Sequence, residues 1–228
     1  MDRQQDNLRQ RPLLTVDVVI FALREGDLHV LLVRRKRPPH MDMWAIPGGL
    51  VELDEALEAA AVRKLEEETG LCDVYLEQLY TFGDPRRDPS DRLISVAYFC
   101  VVPANSVVPC ASEDAEHVRW WSIYGLPPLA FDHPQILRYA LIRLRYKLEY
   151  TAVGFELLPK EFTLTELQST YEIVLGETLD KRNFRRKILS AGVIEPSGLQ
   201  RTGEGRPARL YRYREDAVAE VKARRLFP

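Results

Sequence analysis

The chain has 228 residues, 46% hydrophobic and 29% charged, a composition typical of globular domains and unlike that of disordered or collagen-like chains. No run reaches the roughly 20 apolar residues that a membrane-spanning helix needs, and the polar first twelve residues predict no signal peptide. Three cysteines without a C-x-x-C pair argue against a disulfide framework or zinc ribbon and predict a cytoplasmic protein.

The net charge of −2 hides two regions of opposite sign. Residues 181–214 contain ten Lys and Arg against Glu195 and Glu204, a net charge of +8, so the rest of the chain carries −10. An acidic body with a basic end predicts two separate tasks.

The first part of the chain alternates between strand and helix patterns. Two apolar runs around the turn REGD, residues 13–23 and 28–36, predict a hairpin, and the proline- and glycine-rich residues 37–51 predict a loop. We expect Asp54 to cap a helix over residues 55–69 that Gly70 ends. Further strands and one helix are predicted for 73–82, 92–102, 117–123 and 134–148. The mixture predicts an α/β or α+β domain over residues 10–150, followed by a connecting segment, 151–161.

The last part, residues 162–228, has the element order of a winged helix-turn-helix domain. Thr163 and Glu166 form a capping box, and Gly176 ends the helix that follows, whose predicted apolar face is Leu164, Leu167, Tyr171 and Val174. Asp180 is expected to cap a basic helix over residues 181–192, with Phe184, Ile188 and Leu189 facing inward. Residues 193–213 then predict two strands around a glycine-rich turn.

A defined spacing of glycines and charged residues covers residues 49–71. Its fixed positions are Gly49, Glu55, Arg63, Glu67, Glu68, Gly70 and Leu71. The pattern resembles the Nudix box, G-x5-E-x7-R-E-u-x-E-E-x-G-u with u apolar. The resemblance implies the Nudix fold, a mixed sheet between helices, and Mg²⁺ bound through Glu67 and Glu68. Such an ion neutralises the charge that develops when a diphosphate is cleaved.

One position departs from the box. Lys64 stands where the family has a glutamate that serves as metal ligand or base. An ammonium group cannot ligate a metal, but at this spacing it reaches Glu67 or Glu68 and partly replaces the cation. We therefore expect weak Mg²⁺ binding or none, and interpret Lys64 as the mark of a hydrolase pocket converted into a receptor. The alternative is a solvated, glutamate-rich helix face.

Two further segments, FGDPRRDP and AFDH, resemble those of Nudix proteins that bind ADP-ribose. Aromatic rings there could stack on a base, and arginines could bind phosphates. The candidate ligand-binding residues are Phe82, Asp84, Arg86, Arg87, Asp88, Arg92, Tyr98, Phe131 and His133. The alternative is that the aromatic residues are core residues and the arginines pair with Asp84 and Asp88.

The basic end is the candidate DNA-binding surface. In a major groove, arginine reads guanine and asparagine reads adenine, while a hairpin can follow the phosphate backbone. The candidate residues are Lys181, Arg182, Asn183, Arg185, Arg186 and Lys187 on the helix, and Arg201, Arg206 and Arg209 on the hairpin. The alternative is a charged face that is only solvated.

Together, the two halves resemble one family, the Nudix-related transcriptional regulators of NAD metabolism, over nearly the whole chain. The resemblance implies a homodimeric repressor that binds operator DNA and senses ADP-ribose or a related nucleotide with a degenerate Nudix domain. One rival is an active, Mg²⁺-dependent ADP-ribose pyrophosphatase with an accessory DNA-binding tail. A second rival is a regulator with another effector, for instance a sugar. With Lys64 in place of the box glutamate, we expect the chain to bind its ligand with little turnover.

Overall fold

The structure, a computed structural model, describes residues 11–103, 115–150, 155, 157–202 and 207–214, with only the backbone at 115, 116, 149 and 150. It forms two compact units, the first built mainly on residues up to Ala140 and the second mainly on residues from Leu141 onward. No helix within these ranges has the length and apolar character needed to cross a bilayer.

The first unit contains a seven-stranded sheet, and the second contains two helices and a hairpin. The strands are β1 (Leu13–Arg24), β2 (Asp27–Arg35), β3 (Trp44–Ala45), β4 (Gly48–Leu50), β5 (Glu77–Phe82), β6 (Leu93–Val101), β7 (Ala115–Ser122), β8 (Ile194–Arg201) and β9 (Ala208–Tyr213). The helices are α1 (Leu57–Thr69), α2 (His133–Tyr150), α3 (Leu164–Leu175) and α4 (Lys181–Ser190).

The sheet is centred on β1 in the order β3-β2-β1-β6-β5, with β4 also paired to β1 and β7 to β2. Every residue from Val16 to Ala22 is buried, as in a strand covered on both faces. Asp17 is the one charged residue of that run. The antiparallel pairing of β1 with β4 places Gly48 opposite Asp17 and Gly49 opposite Val16, so a glycine pair adjoins the buried carboxylate.

Helix α1 packs against β4 and carries the box residues. It begins at Leu57 after Ala56, whose side chain makes no cap, so the predicted Asp54 cap is wrong. Gly70 ends the helix as predicted, because its left-handed backbone, with φ of 71°, lets its N–H reach Glu66 O at 2.8 Å. On the buried face of α1, Glu68 lies beside Ala61 and Leu65, which is an unusual position for a carboxylate.

The second unit has the predicted helix-helix-hairpin order. Glu166 N donates to Thr163 Oγ1 at 3.1 Å and Thr163 N donates to Glu166 Oε2 at 2.8 Å, which confirms the capping box. Asp180 caps α4 as predicted, accepting from Asn183 N at 2.7 Å. The rings of Tyr171 and Phe184 pack at 5.5 Å between the two helices.

The hairpin is attached to the start of α3 by two backbone hydrogen bonds between Phe162 and Tyr211, at 3.0 and 2.8 Å. The ring of Phe155 lies 4.7 Å from that of Tyr213, so this part of the predicted connecting segment belongs to the core of the second unit. Residues 151–154 and 156 of that segment lie outside the described residues, and the domain limits 10–150, 151–161 and 162–228 stay predictions.

The structure corrects three sequence predictions. Leu189 is 48% exposed, so the inward face of α4 consists of Phe184 and Ile188. The predicted loop 37–51 contains the short strands β3 and β4, which alternation over two or three residues cannot reveal. Strand β5 begins at Glu77 instead of residue 73.

The capping box gives a stability prediction. Because Thr163 Oγ1 accepts the N–H of Glu166, Thr163→Ala should lower the opening free energy of α3 by about 1 kcal/mol. Hydrogen exchange of the α3 amides measures it. Ser169→Ala, at an exposed position inside the same helix, is the matched control and should leave protection unchanged or slightly higher. Equal effects of the two substitutions would contradict the role of the cap.

Candidate functional site

Residues 46–50, which include β4 and are called the glycine loop below, form one wall of the site together with α1. Gly48 N donates to Glu68 Oε2 at 3.1 Å, so the buried carboxylate of Glu68 positions the loop. Gly48 does not tolerate a side chain here, because its Cβ would lie 2.3 Å from Val16 O. A Cβ on Gly49 would lie 2.7 Å from Lys64 Cε, the movable end of a flexible side chain. Glycine is therefore required by close packing at position 48 and by the spacing of the box at position 49.

The box arginine holds the loop glutamate. Arg63 Nε and Nη2 donate to the two carboxylate oxygens of Glu55, both at 2.7 Å, and Nη2 also donates to Leu50 O at 3.2 Å. This bidentate pair lowers the pKa of Glu55 to about 2, so the carboxylate is ionised at neutral pH. The contact ties α1 to the loop that carries the glycine pair.

Lys64 is paired with one of the two box glutamates. Its Nζ lies 2.8 Å from Glu67 Oε2, and Arg63 Nη1 contacts the same carboxylate at 3.3 Å. The hydrogen bond from Lys64 lowers the pKa of Glu67. The carboxylate that a metal would use is therefore already neutralised by two cations.

These residues do not fit a divalent ion. Among the described side chains, no group of three or more His, Cys, Asp or Glu could hold a metal. Mg²⁺ needs several oxygen ligands, and the Lys64 ammonium occupies the position beside Glu67. The predicted ligands Glu67 and Glu68 instead contact Lys64, Arg63 and Gly48 N.

Two cavities open on either side of the glycine loop. One, of about 350 Å³, is the cationic cavity, lined by Val33, Arg35, Lys36, Arg37, Pro38, Ala45, Ile46, Gly48, Gly49, Leu50, Lys64 and Glu68. The other, of about 230 Å³, is the polar cavity, lined by Leu13, Thr15, Asp17, Arg35, Ile46, Gly48, Gly49, Leu50, Arg87, Asp88, Asp91, Leu93, Phe131 and His133. They share the wall formed by Arg35, Ile46 and residues 48–50.

The floor of the polar cavity is a buried ion-pair cluster. Arg87 donates to both oxygens of Asp132, at 3.0 and 2.9 Å, and its Nη2 lies 3.3 Å from Asp17 Oδ2. Ser95 Oγ also donates to Asp17. Arg87 and Asp17 are only 8% and 6% exposed. Through its hydrogen bonds, the cluster joins β1, β6, the loop before β6 and the start of α2.

His133 adds a neutral link to this cluster. Its Nδ1 accepts the N–H of Ile46 at 2.9 Å, so the remaining proton lies on Nε2, which faces Asp17 Oδ1 at 3.7 Å. Burial lowers the pKa of His133 more than the facing carboxylate raises it, so the imidazole is neutral at pH 7. His133 thereby fixes the backbone between β3 and β4.

An aromatic and cationic stack lies at the edge of the polar cavity. The Arg35 guanidinium lies over the Phe131 ring at 4.6 Å, and His40 packs edge-on against the same ring at 4.7 Å. Phe131 has a positive φ of 53°, a strained conformation for a residue with this side chain. Beyond Phe131, a third cavity of about 460 Å³ is lined by His40, Asp84, Arg86, Arg87, Pro89, Phe131, Asp132 and Gln135.

The structure brings six of the predicted ligand-binding residues to these cavities, namely Asp84, Arg86, Arg87, Asp88, Phe131 and His133. The other three line none of the three cavities. Phe82 packs with Tyr80 and Tyr139, Arg92 donates to Leu93 O, and Tyr98 is a core residue only 1% exposed.

Among the cavity residues that sequence reasoning missed are Asp17, Arg35 and Gly48. Asp17 had a visible signal, because an aspartate inside an uninterrupted apolar strand must find partners. Arg35 belongs to the run RRKR at 34–37, but nothing in that run separates a wall residue from a solvated one. Gly48 precedes the box and is required only by the pairing of β4 with β1.

The candidate DNA-binding residues lie on α4 and the hairpin. Lys181, Arg182 and Asn183 are exposed, and Arg186 Nη2 donates to Asn183 Oδ1 at 2.8 Å, which orients the two side chains together. Arg185 instead donates to Thr165 Oγ1 at 3.2 Å, and Lys187 is half-buried.

On the hairpin, Arg201 is paired with Glu166, the acid of the capping box, while Arg209 is exposed. Arg206 lies outside the described residues. Two predicted contacts, Arg185 and Arg201, are therefore held by α3 in this structure, whereas Asn183, Arg186 and Arg209 are presented outward.

Comparison with known proteins gives matches to both units. A model of the NUDIX domain matches residues 13–140, and a model of the NrtR DNA-binding winged helix domain matches residues 154–213. The ADPR responsive transcriptional repressor NtrR of Acinetobacter baylyi is 41% identical over 206 residues, which cover 89% of this chain and 82% of that protein.

Solved structures agree with these matches. The crystal structure of Shewanella oneidensis NrtR complexed with a 27mer DNA has a TM-score of 0.78 and 37% identity, covering 90% of this chain and 95% of that one. The NUDIX domain of Shewanella oneidensis NrtR complexed with ADP ribose has a TM-score of 0.53 and 34% identity, covering 63% and 99%. The predicted fold class, a Nudix domain followed by a winged helix, is confirmed.

The buried cluster predicts a large difference between adjacent arginines. Arg87→Met leaves two buried carboxylates without their cation and should lower the free energy of unfolding by about 3–5 kcal/mol. Arg86→Met, at a side chain that is 91% exposed, should change it by less than about 0.5 kcal/mol. Urea denaturation followed by tryptophan fluorescence measures this, since all three tryptophans lie in the first unit. Similar losses for both variants would contradict the assignment of Arg87 as the organising cation.

Proposed function

This chain belongs to the Nudix family and, within it, to the NrtR-type regulators, and from that premise we propose that it is an ADP-ribose-responsive transcriptional repressor. The observation that carries the proposal is the combination in one chain of a winged helix with a Nudix domain whose box has Lys64 in place of a glutamate. The regulated genes, by resemblance to the family, are those of NAD metabolism.

The shape and charge of the cavities support ADP-ribose as the effector. The molecule has two ribose-containing ends joined by an anionic diphosphate. Two adjoining cavities with a shared wall suit the two ends, and Arg35 on that wall suits the diphosphate between them. The Phe131 ring at the edge supplies an apolar surface for a base or a ribose.

The same site is poorly suited to hydrolysis. Efficient cleavage of a diphosphate requires metal ions that neutralise charge and activate water, and the carboxylates of α1 are already engaged by Arg63, Lys64 and Gly48 N. Any Mg²⁺ bound by Glu67 and Glu68 is weak. ADP-ribose is therefore bound and released without being cleaved. Rapid, Mg²⁺-dependent release of AMP would instead support the rival assignment as a pyrophosphatase.

The exposed face of α4 binds the major groove of operator DNA. Arg186 and Asn183 are the base-reading pair, since they are exposed and hydrogen-bonded to each other. The hairpin lies along the backbone, where Arg209 contacts phosphate. One α4 covers about half of a typical site, so two copies of the chain bind a two-fold symmetric operator as a homodimer.

The central prediction concerns coupling between effector and operator. ADP-ribose should weaken binding to a duplex from the region upstream of the protein's own gene by about 5- to 150-fold, the usual range for allosteric coupling. Because coupling is reciprocal, the operator should weaken ADP-ribose binding by the same factor. Fluorescence anisotropy measures the first effect, and calorimetric titration of free and operator-bound protein measures the second.

AMP and a scrambled duplex are the controls for that experiment. Equal ADP-ribose affinities of the free and operator-bound protein would show that the pocket does not regulate DNA binding. Tight operator binding that responds to a sugar and not to ADP-ribose would keep the regulator and replace the effector.

The DNA surface gives a second prediction. Arg186→Ala should weaken operator binding by about 1–3 kcal/mol and relax the preference at one base pair. Arg209→Ala should weaken all duplexes alike and reduce the salt dependence by about one counterion. Arg212→Ala, whose guanidinium is paired with Glu195 at 2.7 Å, is the control. Anisotropy titrations over a range of salt concentrations and operator substitutions separate these outcomes. An unchanged affinity in both test variants would show that the basic face is only solvated and does not contact DNA.

A further inference from the structure

We propose that the Lys64 ammonium takes the place of the box metal as a diphosphate-binding cation, so that the effector binds without any divalent ion. The inference rests on the proposed function, because it names the contact by which the same pocket recognises its ligand. Its starting point is the misfit described above: the described residues offer no metal cluster, and a cation of the chain itself stands beside the box carboxylate.

The ammonium is held in a defined place. The Lys64 stem lies against the glycine loop, and a Cβ added to Gly49 would come within 2.7 Å of Cε and 3.3 Å of Nζ. Only 17% of the side chain is exposed, and it lines the cationic cavity. A lysine on an open helix face samples many rotamers, whereas this one has lost most of that freedom before any ligand arrives.

The hydrogen-bonding capacity of Lys64 supports the assignment. An ammonium has three donors, and its bond to Glu67 uses one of them. A phosphate oxygen that enters the cavity can accept from another without breaking the pair. Glu67 then acts like the carboxylate partner of a bound metal, since it orients the cation.

The charge of the cavity matches a diphosphate. Four cationic residues line it, namely Arg35, Lys36, Arg37 and Lys64, against one carboxylate, Glu68. Arg35 is oriented by donation from its Nε to Pro39 O at 3.0 Å and by its stacking on Phe131. Lys64 and Arg35 therefore line the same cavity, where a diphosphate at the shared wall can contact both.

The same substitution separates binding from hydrolysis. An ammonium neutralises phosphate charge as a metal does, but it cannot coordinate water and lower its pKa. A site with Lys64 therefore keeps the affinity and lacks the nucleophile. One residue thus accounts for receptor behaviour.

Calorimetric titration of ADP-ribose into the full chain tests the proposal. Wild-type affinity should be the same with excess EDTA as with excess Mg²⁺. Lys64→Met keeps the stem against Gly49 and removes the charge, so affinity should fall about 10- to 100-fold. Lys160→Met removes one exposed lysine of the second unit and is the matched charge control. Lys64→Glu should make the remaining affinity depend on Mg²⁺.

Two further measurements separate ligand contact from a structural role. Adenosine, which lacks phosphate, should bind wild type and Lys64→Met equally. Glu67→Gln keeps an oxygen that can orient the ammonium and removes the opposing charge, so ADP-ribose affinity should be kept or raised. A loss as large as that of Lys64→Met would show that Lys64 acts through the ion pair and would overturn its role as a ligand contact. Thermal denaturation of each variant without ligand shows whether the fold is retained.

The outcomes distinguish this inference from the proposed function. ADP-ribose binding that is lost in EDTA, or that is unchanged in a folded Lys64→Met variant, overturns the role of Lys64 while the regulator assignment stands. Absence of ADP-ribose binding to the wild type under both conditions overturns the proposed function itself.

Discussion

One buried guanidinium organises the effector half of this protein. Arg87 is the cation between two carboxylates, and each of its partners belongs to a different part of the chain, Asp17 to β1 and Asp132 to the turn before α2. A buried charge without a partner is costly, so the cluster constrains the positions of all three side chains. His133 extends that constraint to the backbone of Ile46. The loop before β6, the start of α2 and the glycine loop are therefore positioned together.

The one residue that departs from the box, Lys64, lines the neighbouring cationic cavity. Glu55, Arg63 and Glu68 retain the contacts that hold α1 to the glycine loop. These contacts serve the architecture of the pocket. On the proposed role of Lys64, the box has two separable parts, one that shapes the wall and one that would perform chemistry, and Lys64 alters the second.

The sequence was most informative where the determinants are local. The box spacing, the capping box and the Asp180 cap all depend on side chains within a few turns of one another, and the structure contains those contacts. Sequence reasoning was weakest where partners are distant. Arg87 has acidic neighbours at Asp84 and Asp88, yet its partners lie 70 and 45 residues away, and only the strand pairing brings them together. Exposure of Leu189 is a similar case, since helical periodicity alone does not say where the partner helix ends.

The contact between Lys64 and Gly49 has a consequence for how such a receptor arises. Lysine and glutamate codons differ only in their first base, so a single transition separates the two side chains at this position. The glycine loop can receive the longer lysine stem because Gly49 has no Cβ to obstruct it. On the proposed role of Lys64, one point mutation in a hydrolase with this loop would exchange a metal-binding carboxylate for a phosphate-binding ammonium. The change would remove the metal and leave a cation that holds the ligand.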